Sequence, residues 1–124
     1  MEFKIDTKDT YTIIIPVYNS IDKALTDALA TKCAELADSG TNNYIIDLQN
    51  CNSVDKSSFE ALLQMHEESY NNSRSLVFTG LQSDVMKVAK EEELDLSLNI
   101  APKMIEAVDI ISMEILERDL FGEE

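Results

Sequence analysis

The spacing of apolar residues changes repeatedly along this chain, and each change marks an element. Tyr11-Thr12-Ile13-Ile14-Ile15-Pro16-Val17-Tyr18 is a β-branched and aromatic run, preceded by looser alternation from Phe3 to Asp9. Together these predict a hairpin turning near Thr7-Lys8-Asp9. Pro16 has no amide donor, so the second strand must leave its ladder there or turn that side to an edge. Leu25, Ala28, Leu29, Cys33 and Leu36 follow the helical period. Asp22 is placed to cap that helix and Asp38-Ser39-Gly40 to stop it. Tyr44 to Leu48 is apolar on both sides, as a strand in the middle of a sheet must be.

The period then switches again. Phe59, Leu62, Leu63, His66 and Tyr70 recur at helical spacing and predict a helix from about Lys56 to Tyr70, ended by Asn71-Asn72-Ser73. Leu76-Val77-Phe78-Thr79 supplies a strand, Asp84, Val85, Val88 and Ala89 a short helix, and Leu96 to Ile100 a last short strand. Pro102 precedes a helix expected over about 103–120, and Gly122-Glu123-Glu124 reads as a fraying tail. Strands alternating with helices imply an α/β fold, parallel strands being joined by right-handed crossovers. The last helix carries more apolar surface than one buried face requires. Met104, Ala107, Val108, Ile111 and Ile115 form its core stripe at about 100° per residue. Ile105, Leu116 and Leu120 lie to one side of that stripe, a surplus suited to self-association.

At 124 residues the chain is expected to be one domain, 1–124, without internal repeat or linker. A net charge of −14 changes the picture of its partners. The field repels phosphate backbones and anionic lipid headgroups, and the lysines and arginines are scattered singly, so no nucleic acid and no membrane is expected. The chain has neither a long apolar run nor a signal-peptide pattern, which makes a cytoplasmic protein the expectation. Cys33 and Cys51 lack metal-site spacing and read as buried free thiols. One histidine cannot share a metal, and on an apolar stripe His66 will not activate a serine. The three glycines stand alone, so no phosphate-cradling loop exists. Neither an enzyme nor a bound cofactor or metal is expected.

Candidate chemistry gathers instead at one strand-to-helix corner, Asp47-Leu48-Gln49-Asn50-Cys51-Asn52-Ser53-Val54-Asp55-Lys56-Ser57-Ser58-Phe59. Asp55 can cap the helix by accepting amides near Ser57 and Ser58. A phosphate on Ser57 or Ser58 would add about −1.5 to −2 charges at pH 7 at the positive end of that helix. Lys56 would favour it, while Asp55 and Glu60 would oppose it. A solvated cap is the plainer use of both serines.

Asp47-Leu48 followed by Asp55-Lys56-Ser57-Ser58-Phe59-Glu60 resembles the signature of the STAS domain, found in sulfate transporters and anti-sigma factor antagonists. In that family a strand ending Asp-Leu leads to Asp-Ser-Ser-Gly-Leu-Gly at a helix start. Asn19-Ser20-Ile21-Asp22 is similar to the family's Gly-x-Leu-Asp turn, Leu76 to Gly80 to its fourth strand, and Glu106-Ala107 to the opening of its last helix. The resemblance implies a STAS-like mixed, mostly parallel sheet of four to five strands, an N-terminal hairpin and about four helices. It further implies a cytoplasmic bacterial regulator that binds an anti-sigma factor or serine protein kinase through Asp22, Asp55, Lys56, Ser57, Ser58, Phe59 and Glu60. The family's phosphorylated serine falls on Lys56, its second serine on Ser57 and its glycine on Ser58. The switch has therefore moved to Ser57 or Ser58, or the protein is an unmodified scaffold that forms a homodimer or docks into a larger signalling complex. Nucleotide or small-anion binding, proposed for some relatives, conflicts with the chain's charge.

Overall fold

The computed structural model describes residues 1–121, and the Gly122-Glu123-Glu124 tail lies outside the described residues. β1 (Phe3–Thr7) and β2 (Thr12–Pro16) form the antiparallel hairpin. Lys8 N donates to Tyr11 O across its turn at 2.8 Å. β2 then pairs in parallel with β4 (Asn43–Asp47), but only from Thr12–Tyr44 to Ile14–Ile46. The ladder is thus left two residues before Pro16, which could not have donated to it.

β4 pairs along its whole length with β6 (Ser75–Thr79), and β6 pairs with the two-residue β7 (Ile100–Ala101). The sheet order is β1-β2-β4-β6-β7, which puts β4 at the centre. A second, parallel sheet of two residues per strand joins β3 (Ser20–Ile21) to β5 (Ser53–Val54).

Helix α1 (Lys23–Asp38), α2 (Ser58–Asn71) and α3 (Ser83–Glu91) cover one sheet face. Leu25, Leu29, Phe59, Leu62, Val85 and Ala89 pack there with Ile14, Tyr44, Ile46, Leu76 and Phe78 of the strands. The other face holds α4 (Met104–Phe121) alone, where Ala107 and Ile111 meet Ile13, Ile45, Val77 and Ala101. Polar staples complete that contact. The Arg118 guanidinium donates to Ser75 Oγ and Asn43 Oδ1, both at 2.7 Å, and Asn99 Nδ2 donates to Glu114 Oε2 at 3.0 Å.

The strand expected over Leu96 to Ile100 is corrected. Residues 95–99 form turns, and pairing with β6 begins only at Ile100. Leu98 is buried while Leu96 is 90% exposed, so the alternating pattern anchors a turn rather than a strand. Leu98 N bonds Leu94 O at 3.0 Å, and Asn99 has φ 59°, a left-handed conformation that ends any ladder before it.

Candidate functional site

β4 delivers the chain to the corner through Asp47. Its carboxylate is 9% exposed and accepts from Gln49 N and Gln49 Nε2, each at 3.1 Å. Burial pushes the carboxyl above the ordinary range, and the Gln49 amide only partly opposes this. β6 ends beside it at Gly80, where φ is 74° and a Cβ would run into Asp47 Oδ1 and approach Gln49 N to 3.2 Å. Only glycine fits there. The Asp47 carboxylate is therefore spent on the turn at Gln49, while Leu48 N, donating to Thr79 O at 2.9 Å, ties the two strand ends.

Beyond Asp47 the chain turns back to meet the segment before α1. Asn52 N donates to Asn19 O at 2.9 Å and Asp55 N to Ile21 O at 2.8 Å, bracketing the β3–β5 pairing. Two turns far apart in sequence thus lie side by side. In the first, Asp22 caps α1 by accepting from Leu25 N at 3.0 Å and also accepts from Tyr18 Oη at 2.7 Å. The Leu25 amide, and after it the Tyr18 hydroxyl, hold this carboxyl below its ordinary value.

In the second turn, Asp55 Oδ1 accepts from Ser57 N at 3.2 Å and Ser57 Oγ at 3.1 Å. The amide satisfied is the one expected, but a turn intervenes and α2 itself starts at Ser58, with Ser57 as the helix-entry residue. Asp55, Lys56, Ser57 and Glu60 are exposed and Asp22 is half-buried. Lys56 Nζ reaches across to Glu92 Oε1 at 3.6 Å, joining the corner to the end of α3.

Two expected surface residues are not on the surface. Ser58 is 4% exposed and Phe59 fully buried. The first turn of α2 rotates both toward the core, where Phe59 packs under the α1–α2 face. Both side chains are thereby withdrawn from the surface of the corner. This correction leaves Ser57 as the accessible hydroxyl of the pair.

Elsewhere, His66 is half-buried on α2, and its buried Nδ1 has no hydrogen-bond partner. Burial pushes the Cys33 thiol up to about 12 and the Cys51 thiol up to about 11, so both stay protonated at neutral pH. Cys51 is buried as expected, while Cys33 is only partly so. Among the described residues no three His, Cys, Asp or Glu side chains converge as metal ligands. No described helix is long and apolar enough to cross a membrane.

Sequence reasoning missed the β3–β5 pairing, because two-residue strands carry no period. It also missed Glu92, whose Glu91-Glu92-Glu93 run reads as an ordinary solvated face. Ile105, Leu116 and Leu120 are exposed on α4 as expected, and Met113, 61% exposed, joins them.

No curated protein matches the chain in sequence. Among solved structures, the chain is similar to a candidate anti-sigma factor antagonist from Thermotoga maritima, with TM-score 0.75 and 15% identity over 89% of this chain and 94% of that one. It is similar to a variant of RsbS from Moorella thermoacetica, with TM-score 0.71 and 18% identity over 95% and 99%. A chain of the stressosome, a signal integration and transduction hub, superposes with TM-score 0.59 and 20% identity over 88% and 96%. At such identities these likenesses establish the fold. The STAS domain profile matches residues 3–107, from the first strand through the opening of α4. With that match over most of its length, and with the strand order and corner described above, the chain belongs to the STAS domain family.

Proposed function

We propose that this protein is a cytoplasmic regulatory module of the anti-sigma factor antagonist type, without catalytic activity of its own. The paired turns form its docking surface: Asp22, Asp55, Lys56, Ser57 and Glu60 meet an anti-sigma factor or a serine protein kinase. The observation that supports this most directly is the β3–β5 pairing, which sets the Asp22 turn against the exposed Asp55–Ser57 turn.

Ser57 is the hydroxyl through which such a surface is switched. Its Oγ is exposed at the entrance to α2 and already hydrogen-bonded to Asp55. Phosphate there replaces that bond with repulsion from Asp55, while the helix end and Lys56 attract it. Incubation with ATP and a panel of anti-sigma-type serine kinases, followed by mass spectrometry, is expected to place one phosphate on Ser57. Absence of modification by every kinase that binds the protein rejects the switch.

A second reading has its own support. Lys56 stands where the family's phosphorylated serine is expected, and it is engaged with Glu92. An unmodified scaffold protomer, docked into a larger signalling complex as the stressosome likeness suggests, needs no acceptor at that position. Light scattering with and without co-expressed partners separates the two: a monomer that binds a single kinase leaves the scaffold without support.

A further inference from the structure

The outward face of α4 is a stripe with one charge at its centre. Projected at about 100° per residue, Ile105, Leu116, Asp109, Leu120 and Met113 fall within a sector of about 80°, opposite Ala107 and Ile111. All five are exposed, and the stripe is about 22 Å long at the helical rise. The charges bordering it are of one sign. Glu117 and Asp119 are exposed there, as Asp109 is at the centre, whereas Arg118 is turned inward onto Ser75 and Asn43.

Apolar side chains in that arrangement suit a second helix laid along the first. The charge decides which helix. An antiparallel second copy centred between Ser112 and Met113 matches Ile105 to Leu120 but presses Asp109 against Leu116. Each carboxylate then loses water without gaining a cation, which opposes the pairing of two copies. A parallel copy sets Asp109 near its own equivalent. Two chains of net charge −14 also repel at a distance.

We infer that the α4 stripe is a docking surface for a cationic amphipathic helix of another protein, with a Lys or Arg of that helix paired to Asp109 and its apolar side chains on Ile105, Met113, Leu116 and Leu120. The surface lies on the opposite side of the sheet from the three-helix face and does not depend on the corner's role.

The probe is an 18-residue Leu/Lys amphipathic helical peptide carrying a fluorophore, titrated into the full chain, with a Leu/Glu peptide of the same pattern as its counterpart. Saturable binding of the Leu/Lys peptide is expected, with amide shifts in the isotope-labelled protein confined to α4. Asp109→Lys and Leu116→Glu, both at exposed positions, are each expected to weaken it about tenfold, the order seen for one desolvated charge pair or apolar anchor. Lys87→Glu, exposed on α3 and outside both surfaces, should leave it unchanged, and because the α4 variants leave the corner intact, failure here and failure of the corner reading are distinguishable. Three results overturn the inference: equal binding of the Leu/Glu peptide, binding that survives both α4 variants, or a dimer of the free chain that Leu116→Glu dissolves. Absence of binding by the Leu/Lys peptide at millimolar protein overturns it as well.

Discussion

The two faces of the sheet solve the same problem with different means. Three helices seal one side with large side chains, and Phe59, Leu25, Leu29 and Leu62 are wholly inside. On the other side one helix inserts Ala107 and Ile111 and relies on Arg118, Glu114 and their polar partners to hold its far half. The corner grows directly from the thick side, since Phe59 sits two residues from the exposed Ser57. Rigidity of the paired turns is therefore a product of core packing. The thin side seats a single helix, with Ala107 and Ile111 buried and Met104, Val108, Ile110 and Ile115 packed beside them, and leaves an outer stripe unused, so change on that stripe does not disturb the corner.

The sharpest way to break this contrast is to empty the thick side. Phe59→Ala is expected to cost about 3–5 kcal/mol, as large-to-small changes in a core do. Denaturant unfolding measures it, and a cost below that of a surface mutation would show that the corner does not rest on this side chain. Ile111→Ala, the comparable deletion on the thin side, should cost about 2–4 kcal/mol. If it equals or exceeds Phe59→Ala, the asymmetry drawn here is wrong.

Gly80→Ala comes next, because its Cβ meets Asp47 in a left-handed backbone conformation. A loss of about 1–3 kcal/mol follows from strain of this kind, and Gly80→Ala combined with Asp47→Ala should recover part of it by removing the clash. Asp22→Ala should give a smaller loss with a particular pH dependence. The Asp22 carboxyl is held below its ordinary value in the folded protein. Its contribution is thus complete above the ordinary carboxylate range and vanishes as pH falls through the lowered value. Parallel unfolding of both proteins from neutral to acid pH should bring their stabilities together at the acid end. Leu120→Gln, on the outer stripe, should stay within about 0.5 kcal/mol of the parent, which thermal unfolding would check.

Much of the thick side was legible in the sequence. The cap at Asp22, the stop at Ser39-Gly40 and the apolar run at Tyr44 to Leu48 are local signals, and local chemistry decides those elements. The failures come where tertiary contact decides. Leu96 to Ile100 alternates like a strand, yet only one of its leucines has a core to enter, so it coils around Leu98. Ser58 looks like an exposed cap, but the turn at Asp55–Ser57 delays the helix and rotates Ser58 inward with Phe59. The β3–β5 seam had no signal of its own, since its existence depends on α1 and β4 returning the chain to the same place.

That seam has a consequence for any partner. The proposed docking surface exists only while two segments some thirty positions apart are held in register, so an unfolded or half-folded chain would offer nothing to grip. Association is then a test of the whole domain's integrity, and the partner's grip in turn protects the domain against opening.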